Sequence, residues 1–250
     1  MATKYNSLNH TLPMVGHTRT VDVTSAGTNN TCISITKPKA IILFIGGAGD
    51  KKPFAGSGPN RNITYVHSEY IARKDSIIKK KQKKLIIDDL SICWLGYYEI
   101  YGDENIQKSV IDKIPDKNTA IYIIGHSLGG WNGAHLTNRL LKKGYKSKML
   151  ITLDPVGKGF LINVADIYYN DPVVIAETWI NIRCNPKEYG FSDFVADLGE
   201  QWNPNKDEPT YNVVTKANHL DADYIITTKI HGSLSALDLL INSLQKVLQC

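Results

Sequence analysis

The chain has 250 residues, of which 42% are hydrophobic and 21% charged, as in an ordinary soluble globular protein. Its net charge of +5 is mild and no basic motif is interleaved with aromatic residues, so nucleic acid is not an expected partner. No apolar run reaches the roughly 18 residues that a membrane span needs. The four cysteines are far apart in sequence and predict neither a zinc site nor a disulfide framework.

The first residues of the chain show no apolar signal sequence. Residues 1–17 are polar, so the expected location is the cytoplasm, with export by a route that uses no N-terminal signal as the alternative. Residues 19–24 and 31–36 alternate β-branched and polar side chains around a segment of glycine and asparagine. This pattern predicts a β-hairpin.

The remainder of the chain alternates between strand-like and helix-like segments. An apolar run at 40–45 predicts a buried parallel strand, which ends at the glycine-rich residues 46–50. Further strands are predicted at 85–94, 119–124, 149–153, 173–183 and 211–215. Helices are predicted at 65–84, 103–113, 128–143 and 233–248. The alternation predicts an α/β fold with a doubly wound, mostly parallel sheet, as a single domain over 1–250 with a lid or insertion at 157–207.

The most specific motif follows the predicted strand at 119–124. It reads Gly125-His126-Ser127-Leu128-Gly129, and a helical pattern begins directly after it. A strand before and a helix after make Gly-x-Ser-x-Gly a nucleophile elbow, with glycines where a Cβ atom would collide. We therefore expect the Ser127 hydroxyl to project above the edge of the sheet as a nucleophile. The alternative is a serine that only occupies a tight turn.

With this motif the chain resembles the α/β-hydrolases, especially their lipase and esterase branch, in which His-Ser-Leu-Gly-Gly is a frequent spelling of the elbow. As a fold the resemblance covers about residues 19–248. It implies the α/β-hydrolase fold and a catalytic triad in the chain order serine, acid, histidine. A carboxylic ester or lipid is the implied substrate, and no cofactor is expected.

The candidate acid is Asp154, because an apolar β run at 150–153 ends on it and Pro155 then stops the ladder. The segment resembles the Leu-Asp-Pro segment of pancreatic-type lipases, which implies that Asp154 is the acid of the triad. Other α/β-hydrolases carry the acid one strand later, and Asp171 and Asp193 are the candidates for that arrangement. Asp154 as a cap or turn former is the structural alternative.

Two histidines are candidates for the base. His219 follows the predicted strand at 211–215, and His231 stands directly before the closing helix. If 211–215 is the last strand, His219 is the first histidine at the catalytic edge of the sheet. If 224–230 is the last strand instead, His231 takes that place. We choose His219, and we interpret His126 as structural.

The predicted oxyanion hole has two backbone donors. One is the amide of Leu128, directly after the nucleophile, and the other comes from the glycine-rich loop after the strand at 40–45. Ala48 is our choice for the second donor, with Gly47 as the alternative. The loop resembles the His-Gly oxyanion loop of lipases but lacks their histidine. A phosphate-binding loop is disfavoured, because the segment has no Gly-Lys-Ser/Thr ending.

These residues predict a serine hydrolase of carboxylic esters with lipase-like or phospholipase-like architecture. An amidase or thioesterase on the same fold, or a catalytically silent binding module, is the alternative. The lysine-rich run at 79–84 is a candidate contact for an anionic membrane surface, although such a run is more often a solvated helix end. The sequence predicts no oligomeric state.

Overall fold

The computed structural model describes residues 39–54, 56, 58–77, 89–159, 165–206 and 208–249. The predicted hairpin at 19–36 and the lysine-rich run at 79–84 lie outside these residues. All described residues fall within one structural unit, Thr36–Cys250, and a single domain over the whole chain stays a prediction.

The centre of this unit is a parallel sheet. Within the described residues it has six strands, which are β1 (Ala40–Gly46), β2 (Leu90–Gly96), β3 (Ala120–His126), β4 (Ser147–Leu153), β5 (Ala176–Cys184) and β6 (Tyr211–Thr215). Their order is β2-β1-β3-β4-β5-β6, and every neighbouring pair is parallel. The chain moves outward from β1 to β2 and then returns to place β3 on the other side of β1. In open parallel sheets, ligands bind at the carboxyl ends of the strands beside such a reversal.

Helices cover both faces of the sheet. In chain order the described α-helices are α1 (Asn62–Ile77), α2 (Asp103–Ser109), α3 (Leu128–Lys142), α4 (Phe191–Leu198), α5 (Ala222–Thr227) and α6 (Ala236–Gln249). A short antiparallel pair, β7 (Lys229–His231) and β8 (Leu234–Ser235), precedes α6. Among the described helices, none combines the length and the apolar character that crossing a membrane requires.

Strand β1 shows how the sheet is buried on both faces. All its residues are buried, and its side chains alternate between two apolar clusters. Ile42 and Phe44 pack in the cluster that contains residues of α1 and α6, whereas Leu43 and Ile45 pack in the cluster of α3. A strand with both faces covered reads as a continuous apolar run, which is why the segment was recognisable as a central parallel strand.

The predicted fold class is confirmed: the chain has the α/β-hydrolase fold, with a doubly wound parallel sheet. The predicted strand at 211–215 coincides with β6, and α3 ends one residue before its predicted end. The segment at 224–230, considered as an alternative last strand, forms α5 and part of β7 and lies outside the main sheet.

Other boundaries differ from the prediction because of tertiary contacts and the exposure of individual side chains. Helix α1 begins at Asn62, before the predicted start, because its first amides are capped by the distant carboxylate of Asp50. The pattern does not predict helix α4, since its large apolar side chains face solvent while Asp193 is buried. The predicted lid or insertion at 157–207 contains β5 and α4, and movement of its remaining residues over the site stays a prediction.

Candidate active site

Ser127 occupies the sharp turn between β3 and α3. Its φ and ψ angles are 56° and −128°. Residues with a Cβ atom rarely adopt this backbone conformation, which costs on the order of 1–3 kcal/mol. Its amide donates to the carbonyl of Leu153 at the end of β4, at 3.1 Å, and its carbonyl accepts from the amide of Gly130 at 2.9 Å. These backbone bonds on both sides hold the strained turn in place.

Two glycines allow the strand and the helix to approach each other at this turn. A Cβ atom on Gly125 would lie 2.3 Å from the carbonyl oxygen of Gly129. A Cβ atom on Gly129 would lie 2.3 Å from the carbonyl oxygen of Ile45 in β1. Because backbone atoms cannot give way as a flexible side chain can, alanine at either position would displace Ser127 from its place.

The structure brings Ser127, His219 and Asp154 together at the carboxyl edge of the sheet. The Ser127 hydroxyl donates to His219 Nε2 at 3.0 Å, and His219 Nδ1–H donates to Asp154 Oδ2 at 2.6 Å. All three side chains are buried. The bond to Asp154 keeps the proton on Nδ1, so Nε2 is the ring nitrogen that is free to accept the serine proton. This is the geometry that a serine nucleophile and its base require.

Asp154 is held by donors on both oxygens. While Oδ2 faces His219, Oδ1 accepts from the amide of Cys184 at 2.7 Å and from Gln201 Nε2 at 2.5 Å. Burial alone would raise the pKa of the Asp154 carboxyl, but the bonds from His219 and Cys184 outweigh it and hold that pKa below its usual value. Asp154 is therefore an anion at neutral pH.

Asp193 of α4 holds the backbone of the loop that carries His219. The amide of His219 donates to Asp193 Oδ1 at 2.8 Å, and Asn218 Nδ2 donates to Asp193 Oδ2 at 2.7 Å. Asp193 thus contacts the main chain of His219 and not its ring. Asp171, the other alternative acid, forms an exposed ion pair with Lys158 at 2.8 Å. Neither residue takes the place that Asp154 occupies.

His126 supports the same loop from the sheet. Its Nε2–H donates to the carbonyl of His219 at 2.7 Å, and its Nδ1 has no hydrogen-bond partner among the described residues. Burial, followed by the nearby imidazole of His219, lowers the pKa of His126 to about 3. The ring is therefore neutral across the physiological range and serves as a fixed donor.

His231 lies away from Ser127, beside the edge strand β6. It ends β7, is exposed, and packs its ring against that of Tyr211, with the centroids 5.4 Å apart. Tyr211 is the first residue of β6, whereas Ser127 lies beyond the carboxyl end of the parallel strand β3. Tyr211 pairs with Ile180 in the middle of β5, and β6 lies three strands away from β3, so the structure does not bring His231 to Ser127.

Two backbone segments lie beside the Ser127 hydroxyl. Leu128 is the first residue of α3, where an amide has no partner within the helix. A Cβ atom on Gly47 would lie 2.5 Å from the Cβ of Ser127 and 3.0 Å from its Oγ. Ala48 follows Gly47 in the same loop and is half-buried. Both loop residues therefore stay candidates for the second oxyanion donor.

Asp50 anchors this loop and was not found from the sequence. Its carboxylate accepts from the amide of Ile63 at 3.0 Å, at the N-terminus of α1, and lies where a Cβ atom on Gly46 would be. Burial raises the pKa of Asp50 to about 6, against the opposing effect of the helix amides. The cap comes from 13 residues upstream, so no local capping pattern in the sequence identifies it.

Comparisons with known proteins assign neither a family nor an activity to the chain. No family model matches the chain, and no curated protein matches it. Among solved structures, the esterase domain of a Rhodothermus marinus protein is similar at 10% sequence identity and a TM-score of 0.36, over 84% of this chain and 87% of that chain. A likeness this distant assigns no activity to the chain.

Among the described residues, no group of three or more histidine, cysteine, aspartate or glutamate side chains is arranged to hold a metal ion.

Proposed function

We propose that the protein is a serine hydrolase of carboxylic esters, with Ser127 as nucleophile, His219 as base and Asp154 as acid. The observation that carries the proposal is the continuous pair of hydrogen bonds from Ser127 Oγ through the His219 ring to Asp154 Oδ2. The strained elbow at Ser127 and its position at the reversal of the strand order support the same conclusion.

In the proposed reaction, Ser127 Oγ attacks the acyl carbon of the ester while His219 Nε2 takes the hydroxyl proton. The imidazolium that forms is stabilised by the Asp154 carboxylate and then protonates the leaving alcohol. The amide of Leu128 and a second amide, from Ala48 or Gly47, stabilise the negative charge on the substrate oxygen. Water, activated by the same histidine, then releases the acid and restores Ser127.

A lipase-like or phospholipase-like preference for long acyl chains is supported by the surface beside His219. Phe191 and Phe194 of α4 are 81% and 49% exposed, and Leu220, directly after His219, is 44% exposed. Asp193, on the inner side of α4, ties this helix to the His219 backbone. Apolar side chains exposed together next to a catalytic loop are typical of a surface that receives an apolar ligand.

Labelling with a fluorophosphonate tests the proposed activity. We expect the probe to label the wild-type protein on the peptide that contains Ser127, because only an activated serine attacks it at a useful rate. The variant Ser127→Ala should not be labelled, and its circular dichroism spectrum should match that of the wild type. Folded wild-type protein that resists the probe would indicate a silent binding module instead.

A p-nitrophenyl ester series from acetate to palmitate tests the acyl preference. We expect kcat/KM to rise from acetate toward the longer esters, since each buried CH₂ group contributes about 0.8 kcal/mol. Phe191→Ser and Phe194→Ser should reduce the rate on the long esters more than the rate on acetate. A steep preference of the wild type for acetate contradicts the lipid substrate but leaves the ester hydrolase intact.

The contact with an anionic membrane surface stays a prediction, because the lysine-rich run at 79–84 lies outside the described residues. Mixing the wild-type protein with neutral and with anionic vesicles, and sedimenting both, measures it directly.

A further inference from the structure

The side chain of Gln201 reaches the acid of the site from 47 residues further along the chain. Its Nε2 donates to Asp154 Oδ1 at 2.5 Å and to the carbonyl oxygen of Cys184 at 2.9 Å. A primary amide has two N–H groups on one nitrogen, so it can make both bonds at once. The two acceptors therefore fix the orientation of the Gln201 amide.

The backbone around Gln201 is paired with the turn that follows Asp154. The amide of Trp202 donates to the carbonyl of Pro155 at 2.7 Å, and Val156 and Gln201 form an antiparallel bridge. The amide of Lys158 donates to the carbonyl of Gly199 at 2.9 Å. Residues 199–202 are thus held against residues 155–158, and the Gln201 side chain has only a short distance to span.

The two oxygens of Asp154 consequently have separate partners. Oδ1 is occupied by Gln201 and by the amide of Cys184, and Oδ2 faces the ring of His219. Rotation of the carboxylate about its bond to Cβ would break the bonds on both oxygens together. The donors on Oδ1 therefore set the plane in which Oδ2 meets His219.

We propose that Gln201 is a positioning residue, which fixes the rotation of the Asp154 carboxylate and through it the orientation of His219. This inference rests on the proposed function, because it concerns the acid of the same triad. Gln201 touches neither the substrate nor the reacting atoms, so its effect is expected in kcat and in the rate of serine labelling. KM should change little.

Three variants test this role. Gln201→Leu keeps a similar volume but removes the donor, and Gln201→Glu keeps the shape but replaces the amide with a titrating group. Asn203→Ala is the matched control, because Asn203 is exposed two residues further along the same segment. For each variant we measure the rate of fluorophosphonate labelling of Ser127, and kcat and KM for an ester, from about pH 5 to about pH 9.

We expect Gln201→Leu to lower the labelling rate and kcat by about 10- to 100-fold at every pH, the effect of one hydrogen bond to a charged group. Gln201→Glu should depend on pH. When protonated, the glutamic acid has one O–H, which can replace the bond to Asp154 but not the second bond to the Cys184 carbonyl, and when ionised it offers no donor and repels the carboxylate. Its rate relative to wild type should therefore fall as the pH rises, whereas Asn203→Ala should follow the wild type throughout.

The outcomes separate this inference from the proposed function. Wild-type labelling together with an unaffected Gln201→Leu variant overturns the positioning role alone. A Gln201→Glu variant that keeps the wild-type rate up to about pH 9, beside an impaired Gln201→Leu variant, also overturns it, since shape alone, without a donor to Asp154, would then be sufficient. Wild-type protein that is not labelled overturns the proposed function, and this inference with it.

Discussion

Replacing His219 with alanine is expected to lower kcat by a factor of about 10⁶, whereas His231→Ala should leave kcat unchanged. His219 Nε2 is the hydrogen-bond acceptor of the Ser127 hydroxyl, so without it the serine keeps its proton at neutral pH. His231 contacts Tyr211 at the amino end of β6 and takes no part in this bond. Initial rates on a p-nitrophenyl ester with both variants, at matched protein concentration, measure the difference.

The His231→Ala variant serves as the control for the loss of an imidazole. Because His231 is exposed, we expect a small change in thermal stability and none in labelling of Ser127. Loss of activity in His231→Ala, with activity retained in His219→Ala, would show that the base is assigned to the wrong residue.

Asp154→Asn is expected to lower kcat by about 10⁴-fold with little effect on stability. The reason lies in the donors around Oδ1. Because the amide of Cys184 and Gln201 Nε2 both donate to that position, the carbonyl oxygen of the asparagine must occupy it. The asparagine NH₂ group then faces His219 Nδ1 and donates to it, which moves the ring proton to Nε2. In that tautomer the imidazole cannot accept the proton of Ser127.

Asp171→Asn provides the matched control, since it also converts an aspartate to asparagine but only removes an exposed ion pair with Lys158. It should keep wild-type kcat. Steady-state kinetics of both variants on one ester, with labelling of Ser127 as a second measurement, test the prediction. Near-normal activity in Asp154→Asn would mean that the tautomer is set by some other group.

Much of the site was accessible from the sequence because the relevant signals are local. The elbow at Ser127 and the β run that ends on Asp154 each combine a strand with the turn that stops it, within about ten residues. Parallel strands place their carboxyl ends at one edge of the sheet, so the sequence alone predicts both residues at that edge. The fold class followed from the same alternation of strands and helices.

The choice of histidine required more than a local pattern. His219 and His231 both follow apolar segments, and which one reaches the catalytic edge depends on which segment joins the sheet. In the structure, 211–215 forms β6, and the segment before His231 forms a short helix and an outlying strand. The number of strands predicted from the sequence favours His219. The pairing of β5 with β6 shows that the strand before His219 belongs to the main sheet.

By itself, the sequence determined the order of the strands and helices along the chain, the turn at Ser127 and the strand end at Asp154, because steric and periodic effects act between near neighbours. The tertiary structure decided the partners of those residues. Asp50 caps a helix 13 residues away, Asp193 turns inward from a helix whose large apolar side chains are exposed and holds the His219 backbone, and Gln201 meets Asp154 across 47 residues. Such contacts leave no periodic pattern, since a single side chain makes each of them and its position depends on how distant loops pack.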